Sequence, residues 1–270
     1  MSQKNYIETI LKRFKMENAA SAPTPLNPSV ILTKREGEPS DRVASNLYAI
    51  AIGSLMYAAM ATRPDIAFAV QTLSQFTTNP GPEHWTAVKR VFRYLSGTRD
   101  YKLTYGGHQQ DWPLEVSGFT DADWGSNPND RKSISGYIYL LGGGAIAWSS
   151  KKQGTVALSS TEAEYIAATH AARQAIWLRH LFNGLNLPLK GSTSIHADNQ
   201  SAIALSKDSQ FHARSKHIDI QHHFIREKVG DGSIELVYCP TDEMLADILT
   251  KGLSKAKHEK FTRELGLLPA

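Results

Sequence analysis

Apolar residues in the first part of the chain recur at the three- and four-residue spacing of amphipathic helices. The first such helix is predicted over residues 6–16, and its apolar face comprises Ile7, Ile10, Leu11 and Phe14. A proline-rich stretch over residues 22–41 follows and predicts an extended connection. Small and apolar residues without charge then predict a helix over residues 43–62, and another helix begins near Pro64.

The last helix of this helical block is predicted over residues 82–96 and is strongly two-sided. Its apolar stripe comprises Trp85, Val88, Phe92 and Leu95. The basic residues that face away from this stripe are Lys89, Arg90 and Arg93. Gly97 is the predicted end of this helix.

From Leu114 the pattern changes to short β-rich runs separated by glycines and turn residues. The first three runs are LEVSGFT, ISGYIYLLGG and AIAWSS, which predict a meander of antiparallel strands. The elements predicted after them are a long helix over residues 160–183, a strand in STSIHAD, helices from about 199 and over 216–229, a strand in SIELVYC and a final helix from about 242. This order predicts a mixed α/β domain built on a central sheet.

Composition and charge narrow the class of protein. The chain has 270 residues, of which 41% are hydrophobic and 21% charged, close to the average of soluble globular proteins. A single cysteine, Cys239, excludes an intramolecular disulfide and a cysteine-based zinc site. The N-terminus lacks the features of a secretory signal, and we interpret the uncharged residues 43–62 as a buried helix rather than a membrane span. Residues 1–110 carry a net charge of +5 and residues 111–270 a net charge of −1, which permits nucleic-acid binding without demonstrating it.

Four acidic residues in the second half lie at or near the ends of separate predicted elements. They are Asp121 in GFTDADWG, Glu164 in SSTEAEYIAA, Asp198 in IHADNQSA and Asp247, on the predicted final helix, in MLADILTK. Ligands of α/β proteins converge where strands end and helices begin. A cluster of carboxylates there offers the oxygen ligands that Mg²⁺ requires.

Periodicity selects some of these acids and not others. Glu162 and Glu164 are about 200° apart around a helix, and Glu164 shares its side with small residues that permit close packing on a sheet. Those small residues are Ala168, Ala171, Ala172 and Ala175. Asp121 and Asp123 lie on one side of a strand, so spacing does not choose between them. Each acid also has an ordinary alternative: turn residue, first-turn helix acid, N-cap or surface acid.

The motifs around these acids resemble one known family. GFTDADWGS, ALSSTEAEYIAA, IHADNQSAI, EMLADILTK and RSKHIDIQHHFIRE are similar to the ribonuclease H domain at the end of the pol polyprotein of copia-type LTR retrotransposons. Upstream, YIETILKRFKM, GSLMYAAMATRPDIAFAV and NPGPEHWTAVKRVFRYLSGT resemble the segment that joins the family's reverse transcriptase to its ribonuclease H.

The resemblance implies an α/β fold: a ribonuclease H-like mixed five-stranded sheet with flanking helices, preceded by a mostly helical segment. Residues 1–110 would be a remnant of the reverse-transcriptase thumb and connection, and residues 111–270 the ribonuclease H-like domain. The chain has no Y-x-D-D motif, so no polymerase activity is expected, and the missing palm and fingers region of the same polyprotein becomes an expected partner. The chain would be a fragment from the 3′ end of a pol reading frame, located in the cytoplasm in a virus-like particle, with the nucleus as the alternative and no membrane partner.

The resemblance also implies the chemistry. The catalytic and metal-binding residues would be Asp121, Glu164, Asp198 and Asp247, and they would hold two Mg²⁺ or Mn²⁺ ions for cleavage of the RNA strand of an RNA:DNA hybrid. The competing reading is a catalytically silent or domesticated remnant that acts at most as a nucleic-acid-binding module. A housekeeping ribonuclease H is disfavoured by the helical first segment.

Polar and basic residues near the acids are candidates for substrate binding. Ser160, Asn199, Gln200 and Ser201 could read the RNA 2′-hydroxyl, with helix capping as the equally weighted alternative. Lys216 and Arg226 lie in a basic region that could follow phosphates or simply form a solvated helix face. The segment from Tyr238 to Asp247 contains no histidine, so the product-release role of the histidine loop in cellular ribonucleases H is unassigned.

Overall fold

The computed structural model describes residues 1–37, 42–106, 115–207 and 219–270. In chain order its elements are α1 (Lys4–Arg13), α2 (Arg42–Ala61), α3 (Ala67–Ser74), α4 (Pro82–Gly97), β1 (Lys102–Leu103), β2 (Ser117–Asp123), β3 (Ile134–Leu141), β4 (Gly144–Lys152), α5 (Ser160–Gly184), β5 (Thr193–Ala197), α6 (Gln200–Lys207), α7 (Asp219–Gly230), β6 (Ile234–Tyr238), α8 (Lys255–Glu264) and β7 (Leu267–Leu268). Short 3₁₀ turns occur at Pro64–Ile66, Thr241–Glu243 and Leu245–Leu249.

The chain forms two compact units. Unit 1 contains Met1–Tyr105, Pro128–Asp130 and Lys251–Ala270, and unit 2 contains Gly106–Asn127 and Arg131–Thr250. The predicted boundary at residue 110 lies outside the described residues. The C-terminal twenty residues, which the sequence placed in the second domain, belong to unit 1, where β7 pairs with β1 in antiparallel register.

Unit 1 buries the apolar faces that the sequence predicts. Ile7, Ile10 and Leu11 of α1 are buried, and the stripe of α4 buries Val88, Phe92 and Leu95 while Trp85 packs against the same core. The basic side of α4 contacts the extended stretch that follows α1. Arg93 Nε donates to Ala20 O at 2.7 Å, and Arg90 Nε donates to Thr24 O at 3.1 Å. The chain between α1 and α2 is therefore held along α4, at Ala20 and Thr24, by arginine-to-backbone hydrogen bonds.

A buried ion pair lies inside unit 1. The Arg63 guanidinium donates to both carboxylate oxygens of Asp65, with Nη2 2.7 Å from Oδ2, and Tyr94 Oη donates to the same oxygen at 2.7 Å. Burial opposes ionisation of Asp65, but the charge and hydrogen bonds of Arg63 hold the pKa of Asp65 below its ordinary value. Arg63 also donates to the carbonyl oxygen of Thr98 at 3.0 Å, so the pair connects the start of α3 to the end of α4.

One of the described helices, over Ala44–Ala61, is long and apolar enough to cross a bilayer by length and composition, and 39% of that window is buried. The sequence predicted a buried helix here, and the structure buries one side of it, including Tyr48, Ala51 and Leu55. Its exposed apolar residues are Leu47, Ile50, Tyr57 and Met60. The absence of a membrane partner stays a prediction.

Unit 2 is built on a five-stranded sheet with strand order β4-β3-β2-β5-β6. The first three strands are antiparallel neighbours, whereas β5 is parallel to both β2 and β6. Helix α5 packs on the sheet through buried small residues, among them Ala168, Ala171 and Ala172. The predicted mixed five-stranded sheet with flanking helices is confirmed.

The prediction of a final helix from about residue 242 is wrong. The chain instead makes the two 3₁₀ turns Thr241–Glu243 and Leu245–Leu249, and α8 begins only at Lys255. All five residues of Leu245–Leu249 are buried, because this tight turn lies against β2 and β3. An α-helix on a sheet would leave one side in solvent. Gly136 of β3 permits the approach, since a Cβ atom there would lie 2.7 Å from Thr250 Cγ2.

Candidate metal centre

Asp121 is the fifth residue of β2 and its carboxylate is buried. The hydroxyl of Thr250, at the end of the Leu245–Leu249 turn, donates a hydrogen bond to Asp121 Oδ2. The same hydroxyl lies 3.4 Å from the carbonyl oxygen of Asp247. Thr250 therefore orients the carboxylate of Asp121. It can reach Asp121 because Gly136 lets the Leu245–Leu249 turn lie close to the sheet.

Asp123 has a different role, which periodicity could not reveal. Its carboxylate accepts hydrogen bonds from the hydroxyl of Ser126 and from the backbone N–H of Ile134. These bonds close the turn between β2 and β3. Of the two aspartates on this side of the strand, Asp123 fixes the turn and Asp121 lies among the other acids.

Glu164 is brought inward by the way α5 begins. Ser159 caps the helix, accepting from the backbone N–H of Glu162 at 3.1 Å, while Glu162 Oε2 accepts from the backbone N–H of Leu158 at 2.7 Å. Glu162 is thus used for capping, and Glu164, about 200° further round the helix, is buried. This is the orientation that the spacing of the small residues predicts.

Asp198 follows β5 and is partly buried. Because β5 runs parallel to β2 and His196 pairs with Phe119, Asp198 and Asp121 each come two residues after this pair, at the same end of the sheet. Thr241 Oγ1 donates to Asp198 Oδ2 at 3.0 Å. Asn199 Oδ1 accepts from the backbone N–H of Ala202 at 2.9 Å, so Asn199 caps α6 and Asp198 does not.

The structure brings three of the four predicted acids together. One carboxylate oxygen from each of Asp121, Glu164 and Asp198 lies within 4.8 Å of the other two. Three carboxylates this close repel one another, and two of them are buried, so the arrangement favours a cation between them. The donor set consists only of hard oxygen atoms, which fits Mg²⁺ or Mn²⁺ rather than a soft metal.

Asp247 lies outside this group of three, although it is buried on the neighbouring Leu245–Leu249 turn. The sequence placed it on a helix, and that placement is wrong. Its backbone N–H donates to Met244 O, and its carbonyl oxygen accepts from the backbone N–H of Thr250 at 3.2 Å. Its membership of the metal centre stays a prediction.

The predicted substrate-binding residues fall into three sets. Ser160 is exposed at the first position of α5, and Gln200 and Ser201 are exposed at the start of α6. Arg226 of α7 donates from Nε to Leu205 O at 3.1 Å and thereby ties α7 to α6. Lys216 lies outside the described residues.

Sequence reasoning missed the two threonines that orient the aspartates, Thr241 and Thr250. Thr250 stands inside the motif EMLADILTK, directly after the turn that carries Asp247, and this position was the available signal. A second missed feature is the stacking of His196 on Phe119, with ring centroids 4.7 Å apart. Burial lowers the pKa of His196, two residues before Asp198.

Known proteins resemble the chain along nearly its whole length. No protein-family model matches it. The retrovirus-related Pol polyprotein from transposon TNT 1-94 of Nicotiana tabacum is 46% identical over 271 residues, which cover 99% of this chain and 20% of that protein. The retrovirus-related Pol polyprotein from transposon RE2 of Arabidopsis thaliana is 38% identical over 272 residues, covering 99% of this chain and 18% of that protein.

The chain therefore spans about a fifth of the length of these curated relatives. Among solved structures, RNase H1 from the halophilic archaeon Halobacterium salinarum aligns with 50% of this chain and 94% of its own, with 18% identity and a TM-score of 0.38. The sequence identities extend over both units. Along 99% of its length the chain is similar to a part of the retrovirus-related Pol polyproteins of transposons, as its motifs predict.

Proposed function

We propose that unit 2 is a metal-dependent endoribonuclease that cleaves the RNA strand of RNA:DNA hybrids. The observation that carries the proposal is the group of three carboxylates, with one oxygen of each within 4.8 Å of the others and two of them buried. Similarity to the Pol polyproteins of transposons along 99% of the chain supports a nuclease of the ribonuclease H type.

Asp121, Glu164 and Asp198 would hold the metal, with Asp247 as a fourth ligand from the adjacent turn. When bound, a pair of Mg²⁺ or Mn²⁺ ions supplies Lewis-acid stabilisation of the charge that develops on the phosphodiester. The protein supplies position. Thr250 and Thr241 fix the rotamers of Asp121 and Asp198 by donating to them, and the cap at Ser159 fixes the start of the helix that carries Glu164.

Selection of RNA requires donors or acceptors for the 2′-hydroxyl in a shallow minor groove. Ser160, Gln200 and Ser201 are exposed at two helix starts, each within four residues of a metal-binding acid, and suit that role. Asn199 uses its side-chain oxygen in the α6 cap, so its amide nitrogen is the group proposed to face the substrate. We assign phosphate contacts to Lys216 and to the terminal nitrogens of Arg226.

A role for unit 1 is proposed from the same resemblance. Following the family resemblance, we propose that the segment over residues 1–110 is the connection to the polymerase, whose palm and fingers region would be its partner. No polymerase activity is expected from this chain. The proposed setting is the cytoplasm, in the virus-like particle of a retrotransposon, with the nucleus as the alternative.

The test uses purified full chain and an RNA:DNA hybrid labelled on the RNA strand, with Mg²⁺, with Mn²⁺ and with chelator. We expect metal-dependent cleavage of the RNA strand and no cleavage of a DNA duplex of the same sequence. Glu164→Gln should lower the cleavage rate by about 10³-fold, because it removes the charge of one of the three carboxylates that would hold the metal.

The matched control is Glu162→Gln on the same helix, which keeps an oxygen for the Leu158 N–H and should cleave at close to the wild-type rate. Binding of the hybrid without cleavage, by a folded wild-type chain in both metals, would contradict the proposal and favour the silent binding module. Equal losses in both variants would also contradict it, because the effect would then not depend on the metal centre.

A further inference from the structure

Three exposed apolar side chains lie on two segments that meet beside the acids, one directly after β2 and one directly before α5. The exposed fractions are 56% for Trp124, 47% for Val156 and 83% for Leu158. The indole Nε1 of Trp124 donates to the carbonyl oxygen of Ala157 at 3.1 Å, so the ring lies against the peptide between the other two residues. We name Trp124, Val156 and Leu158 the apolar ridge. Contiguous exposed apolar surface on a protein commonly marks a binding site.

Buried contacts and a hydrogen bond hold the backbone of the ridge in place. Ala157 is buried in a small cluster with Ala122 of β2 and with Ala163 and Ala167 of α5. The backbone N–H of Leu158 donates to Glu162 Oε2 at 2.7 Å, which locks this residue to the start of α5. The exposure of the three side chains is therefore a property of a well-held surface and not of an untied loop.

The ridge lies close to the metal centre along both elements that supply it. Trp124 follows Asp121 by three residues, about 10 Å along an extended chain. Leu158 precedes Glu164 by six residues, and α5 begins at Ser160, between the two. Successive nucleotides in a duplex are about 3.4 Å apart, so a strand held at the acids would reach the ridge within about three nucleotides.

Two basic side chains, those of Arg131 and Lys132, lie near the ridge. Gly125 follows Trp124, and Arg131 Nη2 lies 3.8 Å from the position that a Cβ atom on Gly125 would occupy. Lys132 Nζ donates to the carbonyl oxygen of Gly154, two residues before Val156. An aromatic surface flanked by arginine and lysine suits a sugar–phosphate backbone better than an apolar protein partner.

We propose that the apolar ridge binds the sugar edges of an RNA:DNA hybrid in its wide, shallow minor groove, within about three nucleotides of the cleaved phosphate. The inference rests on the proposed function for the identity of the substrate and extends it by naming the residues that hold the substrate beside the acids. Trp124 and Leu158 contact sugar C–H groups, and Arg131 contacts a flanking phosphate. The ridge contributes affinity and no chemistry.

The experiment measures binding of a fluorescein-labelled RNA:DNA hybrid to the full chain by fluorescence anisotropy in chelator, where no cleavage occurs. Trp124→Ala and Leu158→Ser should each raise the dissociation constant by about tenfold, because each loses apolar area that would be buried against sugar C–H groups. Trp124→Phe, which keeps a flat ring but loses the N–H, should raise it by no more than about threefold.

The matched control is Trp177→Ala. Trp177 is 55% exposed, almost the same as Trp124, but lies 17 residues into α5 from Ser160, about 25 Å along the helix. It should leave the dissociation constant within about twofold of the wild type. Circular dichroism and thermal unfolding identify a variant that has lost its fold. Leu158→Ser tests the ridge at a side chain that is 83% exposed, where the substitution leaves the core unchanged.

The outcomes separate this proposal from the one it rests on. Equal affinities of Trp124→Ala, Leu158→Ser and the wild type would overturn the ridge even if the wild-type chain cleaves RNA. Weakened binding in both ridge variants, with no cleavage by the wild type in any metal, would support the ridge and overturn the nuclease. A wild-type chain that binds no hybrid would overturn the ridge.

Discussion

Replacing Thr250 by valine removes one hydroxyl group from a fully buried position without changing the shape of the side chain much. The hydroxyl donates to Asp121 Oδ2, and both residues are buried. A hydrogen bond to a charged group contributes about 1.5–3 kcal/mol to stability, because the carboxylate otherwise stays desolvated without that donor. We expect Thr250→Val to lower the free energy of unfolding of unit 2 by that amount.

The assay is urea denaturation of the full chain at pH 7 without metal, followed by a signal from unit 2. With a slope of about 2 kcal/mol per molar urea, the expected loss lowers the midpoint by roughly 1 M. Thr250→Ser is the matched control, since it keeps the hydroxyl and removes only a methyl group, a change worth about 0.8 kcal/mol before any cavity effect. The valine variant should therefore be the less stable of the two.

A second readout follows from the proposed metal centre. A partner that orients a metal-binding side chain typically contributes 10- to 100-fold to metal affinity. Titration calorimetry with Mn²⁺ should show a loss of that order in Thr250→Val and a smaller one in Thr250→Ser. If the valine variant matches the wild type in both urea midpoint and Mn²⁺ affinity, Thr250 does not orient Asp121 and the reasoning is refuted.

Two further predictions concern unit 1. Arg63→Leu should destabilise unit 1 by about 3–5 kcal/mol in thermal or urea unfolding, because it leaves the buried carboxylate of Asp65 without its cation. Replacing both Arg63 and Asp65 by apolar residues should recover part of this loss. A loss below about 1 kcal/mol in the single variant would contradict the reasoning. Unit 1 should also lose stability as the pH falls below about 6.5, because burial lowers the pKa of His84 below that of the unfolded chain, so the unfolded state gains a proton first. His84 Nδ1 accepts from the Gly81 N–H at 2.7 Å and its Nε2 faces Thr33 O at 2.9 Å, so protonation breaks the first bond. His84→Gln should flatten the dependence of stability on pH between 7.5 and 5. An unchanged slope would contradict the assignment to His84 and point to His258 of α8, whose pKa burial also lowers.

The sequence by itself determined the elements that local forces control. The order of strands and helices in unit 2 follows from alternation and helical spacing, apart from its last segment. The inward orientation of Glu164 was also predictable, because helix geometry relates it to the small residues one and two turns later on the same side. The sequence motifs indicated the family, and the resemblance implied the four candidate acids.

Tertiary structure decided what local spacing leaves open. Asp121 and Asp123 are equivalent by alternation, and only the donors contributed by Ser126 and Ile134 commit Asp123 to the turn. The segment carrying Asp247 has helical apolar spacing, yet it forms a 3₁₀ turn because all its side chains are buried against the sheet, beside Gly136. The contact between this segment and the sheet joins residues far apart in sequence, such as Gly136 and Thr250, and its free energy exceeds the small preferences that a local pattern expresses.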